Sequence, residues 1–135
     1  MLLLRAREQT LSRFRPLLKR HGVTEQQWRV LRILHDSDAM TASGLARDCA
    51  ILAPSMTRIL RRLSAEKLVT TARSQDDQRE VRVRISRRGR ELVEKLAPHI
   101  EAQYDWIESR LGTTRLERLR RDLLRVIELG EPSDN

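Results

Sequence analysis

The chain has 135 residues and 15.8 kDa, enough for one domain and too little for two full cores. It carries 27 Lys+Arg against 19 Asp+Glu, a formal net charge of +8, which points to a polyanionic partner: nucleic acid or an anionic membrane surface. Its four aromatics, Phe14, Trp28, Tyr104 and Trp106, lie outside every predicted strand, which excludes an RNA-binding sheet of the stacking type.

The opening MLLLRAREQT is too short for a signal-peptide core or a transmembrane helix. A single cysteine, Cys49, excludes an internal disulfide framework and fits a reducing cytoplasm. His21, His35 and His99 are widely spaced, so no metal site is expected, and no cofactor-binding glycine motif occurs. No nucleophile–base pair stands out, and an enzyme is not expected.

The first predicted helix, about 3–20, places Leu4, Leu11 and Leu18 at seven-residue spacing. Arg15 projects into the middle of that stripe. A cation there costs several kcal/mol unless paired, so Arg15 needs a carboxylate from the protein or a ligand, or must snorkel at a rim. His21, nearly two turns on, could bind a phenol or carboxylate, and Trp28 either lines the same cavity or belongs to the core.

Thr24-Glu25-Gln26-Gln27 reads as a capping box for a second helix that buries Trp28, Leu31 and Leu34. Ala39-Met40 reads as a short strand, and Thr41 caps a third helix through Leu45, Ala46 and Cys49. After a turn at 50–53, Pro54 starts a fourth helix to about 66. Met56, Ile59, Leu60 and Leu63 share one face, while Arg58, Arg61 and Arg62 share the other with Ser55 beside them. Solvated faces usually mix signs. This one has no acid before Glu66, which favours DNA contact.

A hairpin follows. Residues 68–73 are strand-like, 74–78 form a polar tip, and 81–85 alternate strictly, with Val81, Val83 and Ile85 inward and Arg82 and Arg84 outward. Within the wing, Asp77 and Arg79 are two apart and point to one side of an extended segment. Asp77 braces Arg79 toward DNA, or the two form an exposed surface pair. Helix-turn-helix plus basic hairpin is a winged helix, its fourth helix suited to the major groove. Residues 47–90 hold 12 basic and 5 acidic side chains, +7 of the total +8, so the excess charge sits on this module.

Ser86 caps a long helix through Leu92, Leu96, Ile100, Tyr104 and Ile107, which Pro98 should kink. Gly112-Thr113-Thr114 breaks the chain before a last helix. Leu116, Leu119, Leu123 and Ile127 on it, with Leu4 and Leu11 on the first, read as a homodimer seam. The fold expected is mainly α with a small β-hairpin wing: a single domain, 1–135, with a winged helix-turn-helix (24–86) flanked by dimerisation helices (1–21 and 87–130).

The stretch LARDCAILAPSMTRILRRLSAEKLVTTARSQDDQREVRVRISRRGREL, with Asp77-x-Arg79 and Ser86-x-x-Gly89, resembles the MarR family of winged-helix regulators. FRPLLKRHGVTEQQWRVLRIL is similar to the subgroup that regulates homoprotocatechuate degradation. The resemblance implies a cytoplasmic homodimeric repressor on a pseudo-palindromic double-stranded operator, released by a small aromatic carboxylate, with no membrane partner. It also implies DNA contacts from Ser55, Thr57, Arg58, Arg61, Arg62, Asp77, Arg79, Arg82 and Arg84. An arginine and a histidine of the first helix would hold the effector, at Arg15 and His21 here. The N-terminus looks several residues short of the family pattern, and Ser86 replaces its commoner threonine. Peroxide-sensing relatives carry their cysteine in the first helix, so Cys49 reads as a core thiol. The other reading of the charge is an architectural, effector-independent DNA binder, with a steep salt slope and no sequence preference.

Overall fold

The computed structural model describes residues 1–75 and 80–130. Its elements are α1 (Leu2–Arg20), α2 (Glu25–His35), β1 (Met40–Thr41), α3 (Ala42–Asp48), α4 (Ala53–Ala65), β2 (Val69–Arg73), β3 (Val81–Ile85), α5 (Arg87–Leu111) and α6 (Thr113–Glu128). The mainly helical fold with a small sheet is therefore as expected. The chain falls into two compact units, Met1–His99 and Ile100–Asn135.

In the first unit the caps form as their sequence requires. Thr24 Oγ1 accepts from the Gln27 amide, and Gln27 Oε1 accepts in turn from the Thr24 amide, a complete capping box. Thr41 Oγ1 accepts from the Gly44 amide. Helix α4 begins one residue before Pro54, a position proline tolerates because first-turn amides have no helical partner.

Three helices stop in the same way. Gly22, Ala50 and Lys67 all adopt left-handed φ (69°, 50° and 58°). The next amide then reaches back five residues: Val23 to Leu18, Ile51 to Ala46 and Leu68 to Leu63, at 2.9–3.0 Å. Only the first uses glycine, so Ala50 and Lys67 carry a backbone cost of about 1–2 kcal/mol. Each reversal delivers a buried apolar residue, Val23, Ile51 or Leu68, to the core side of the turn.

The core joins Leu31 and Leu34 of α2, Leu45 of α3, Met56 and Leu63 of α4, and Val83 of β3, each at most 1% exposed. Trp28, Ile33 and Ile59 pack on it half-buried, so Trp28 is less enclosed than the expected burial beside Leu31 and Leu34. The sheet order is β1-β3-β2, antiparallel throughout, with Met40 opposite Val83 and Thr71 opposite Val83 on the other side. Val83 is buried and Arg82 and Arg84 are exposed, as the alternation requires.

The long helix α5 is continuous through Pro98 from Arg87 to Leu111. In the second unit α6 is exposed along most of its length: Leu119, Leu123 and Ile127 are 48%, 36% and 72% exposed, and Leu116 is half-buried. Leu4 of α1 is also exposed, and Leu11 is half-buried.

Candidate functional site

The face of α4 opposite its buried stripe presents Thr57, Arg58, Arg61 and Arg62, all exposed, and Ser55, half-buried. The burial of Met56, Leu60 and Leu63 fixes that orientation, because residues four apart stack on one side of a helix. The four polar groups differ in freedom. Thr57 Oγ1 donates to the Ala53 carbonyl of its own helix at 3.1 Å. Arg62 Nε donates to Glu66 Oε1 at 2.5 Å, one turn on. Arg58 and Arg61 have no hydrogen bond or ion pair among the described residues. Two uncommitted guanidiniums on one exposed helical face are suited to phosphates and guanine edges.

On the hairpin, Arg84 is likewise exposed, and Arg82 lies 3.7 Å from Glu80. Asp77 and Arg79 lie outside the described residues. Behind α4, Arg29 of α2 donates to the Cys49 carbonyl at 2.6 Å and to Glu25 at 2.6 Å, tying the end of α3 to the start of α2. The Cys49 thiol is 1% exposed, and burial pushes its pKa up to about 11.

Of the partners open to Arg15, the structure supplies a carboxylate of the protein: its side chain is 46% exposed and forms a two-armed pair with Glu8, Nη2 to Oε2 at 2.9 Å and Nη1 to Oε1. Glu25 Oε2 lies 3.8 Å away. Seven residues are nearly two whole turns, so Glu8 sits below Arg15 on the same side of α1. The Arg15 hydrogen bond holds the Glu8 carboxyl below its ordinary pKa, and Glu8 raises that of Arg15.

Arg15 and Lys19 border a cleft of about 390 Å³ with Leu18, Val23 and Glu25. His21 borders a different one, of about 530 Å³. The two share only Gly22 and Val23, and Trp28 borders neither. His21 Nδ1 donates to the Leu17 carbonyl at 3.0 Å, which leaves Nε2 as the ring nitrogen open to a ligand. Around the larger cleft, Arg62 and Glu66 of α4 meet Arg88, Glu91 and Lys95 of α5, and the last three escaped sequence reading because only the fold brings the two helices together. On α6, Leu116, Leu119, Leu123, Leu124 and Ile127 form an apolar groove of about 290 Å³. No group of side chains among the described residues could hold a metal ion. No helix among them is long and apolar enough to cross a membrane.

A helix-turn-helix with an arginine face, followed by a basic hairpin, defines a winged-helix DNA-binding protein. Residues 23–81 match the MarR family. The chain is 38% identical over 139 residues to the homoprotocatechuate degradative operon repressor of Escherichia coli, spanning 98% of this chain and 94% of that one. Among solved structures it resembles the transcriptional regulator PA4135, with TM-score 0.88 and 39% identity over 97% of this chain and 96% of that one. It also resembles NadR in complex with 4-hydroxyphenylacetate, with TM-score 0.83 and 34% identity over 95% and 91%. This chain belongs to the MarR family and is a DNA-binding transcriptional regulator.

Proposed function

We propose that the protein is a homodimeric cytoplasmic repressor of an aromatic-acid catabolic operon of the 4-hydroxyphenylacetate/homoprotocatechuate type. A small phenolic carboxylate releases it from a pseudo-palindromic operator. Residues 24–86 read the DNA, through Ser55, Thr57, Arg58, Arg61 and Arg62 in the major groove and the hairpin, with Asp77, Arg79, Arg82 and Arg84, on the flank. Segments 1–21 and 87–130 supply most of the dimer contacts, among them Leu4, Leu11, Leu116, Leu119, Leu123 and Ile127. Two copies place their recognition helices about one DNA turn apart, ~34–36 Å.

The observation that carries the effector half is Arg15. Its guanidinium already grips a carboxylate with both arms, that of Glu8, beside a cleft with an apolar wall. An incoming phenolic carboxylate takes over that grip. The relatives support the class of molecule: one represses a homoprotocatechuate operon, and another is solved with 4-hydroxyphenylacetate. In this reading Arg15 is the effector's anchor, whereas His21 borders the neighbouring cleft and Trp28 packs on the core.

Fluorescence anisotropy on duplex DNA from upstream of the protein's own gene tests this. Added 4-hydroxyphenylacetate weakens binding of the wild type, and Arg15→Ala responds at least tenfold less. Equal responses from the two proteins would remove Arg15 from the effector site.

A further inference from the structure

The larger cleft is a separate feature from the one beside Arg15, and its walls come from three parts of the fold. Arg62 and Glu66 form the end of α4, Arg88, Glu91, Leu92 and Lys95 the first turns of α5, and His21 to Val23 the α1–α2 turn. At about 530 Å³ it lies within the range of small-molecule sites.

Its charges are not balanced. Glu66 is engaged by Arg62, and Glu91 is engaged by Arg87 at 2.9 Å, a residue outside the lining. Arg88 and Lys95 have no hydrogen bond or ion pair among the described residues. The floor is apolar: Val23 and Leu68 are buried, and Leu92 is half-buried. Two free cations over an apolar floor match an anion that carries an apolar body, better than they match inorganic phosphate.

The walls are also rigidly joined. Ser86 Oγ donates to the Lys67 carbonyl at 2.7 Å and accepts from the Gly89 amide at 3.0 Å, while the Ser86 amide donates to the Leu68 carbonyl at 3.0 Å. Those bonds fix the start of α5 against the chain leaving α4. Occupancy therefore bears directly on Arg62, which sits both on the DNA-facing side of α4 and in the cleft lining.

We propose that this cleft is a second ligand site, distinct from the one beside Arg15, taking a small aryl- or alkyl-carboxylate anchored by Arg88 and Lys95 over Val23, Leu68 and Leu92. The proposal does not depend on Arg15. The test is a backbone amide NMR titration of the full chain with phenylacetate, with 2-phenylethanol as neutral isostere and inorganic phosphate as bare anion.

Phenylacetate is expected to give saturable shifts at Leu68, Arg88 and Lys95 in both wild type and Arg15→Ala. The Arg88→Ala/Lys95→Ala variant, changed only at exposed positions, should bind at least tenfold more weakly with an unaltered thermal melt. Four results overturn the proposal: no saturable shifts, equal affinity in the double variant, loss of these shifts in Arg15→Ala, or binding of 2-phenylethanol or phosphate as tight as that of phenylacetate.

Discussion

Gly89 lies so close to Leu68 that a Cβ added to it would stand 2.1 Å from the Leu68 carbonyl oxygen. Backbone on one side and the Ile85 side chain at 2.9 Å on the other leave it no escape. The same carbonyl accepts the Ser86 amide, so it cannot turn away without breaking that bond. Ser86-x-x-Gly89 is thus one device: the serine caps α5, and the glycine lets α5 sit against the chain leaving α4.

Replacing Gly89 with alanine therefore acts against helix propensity. Alanine favours a helix interior by about 1 kcal/mol, but forced overpacking against backbone costs ~1–3 kcal/mol or more. Urea unfolding of Gly89→Ala should show net destabilisation. A gain in stability would mean that the contact relaxes freely.

Arg58 and Arg61 are the uncommitted cations of the recognition face, whereas Arg62 is already paired with Glu66. Arg61→Ala or Arg58→Ala should each cost about 1–3 kcal/mol of specific DNA affinity if they read bases. Loss at a phosphate contact would instead be uniform across sequences and lower the salt slope by about one. Anisotropy titrations at several salt concentrations separate the two. Full affinity in the Arg58→Ala/Arg61→Ala double variant would move the DNA contact elsewhere.

Cys49, with its pKa at about 11, should stay a protonated thiol at neutral pH. Ellman's reagent is expected to react with it only in denaturant, because it is 1% exposed. The linkage has a definite sign. An acid whose folded pKa is raised adds stability that is complete below the ordinary value of 9.0 and disappears as pH rises toward 11. Cys49→Ala should flatten part of the fall in stability across that window. Rapid labelling of the native protein at pH 7 would show the core open around α3.

The exposed leucines of α6 predict self-association. Leu119→Asp combined with Leu123→Asp should turn the proposed dimer into a monomer in sedimentation equilibrium, with a parallel loss of affinity for a two-half-site duplex. Both positions are exposed, so the helical signal in circular dichroism should persist. An undisturbed dimer would place the seam off α6.

The elements were legible because their causes are local. The capping box at Thr24, the alternation at 81–85 and the opposed faces of α4 each follow from a few neighbouring residues and a fixed period. Pro98 was legible as a proline inside a long helix, and α5 runs from Arg87 to Leu111 across it; an interior proline removes one donor and bends a long helix without having to end it. For Arg15 the need for a carboxylate was legible, but not its source: Glu8 stands seven residues earlier on the same strip of α1, and only the folded helix shows that the two side chains meet.

The sequence by itself determined the winged helix-turn-helix, the arginine face of α4 and the confinement of the charge excess to 47–90, since periodicity and counting need no partner from elsewhere. Only the tertiary structure decided which charges are spent and which are free. Glu66 takes Arg62, Glu8 takes Arg15, and Arg58, Arg61, Arg88 and Lys95 are left without partners among the described residues. It also put Arg15 and His21 on the borders of different clefts. Pairing and enclosure are set by distances between side chains of separate helices, and no spacing along the chain encodes those distances until the core has packed.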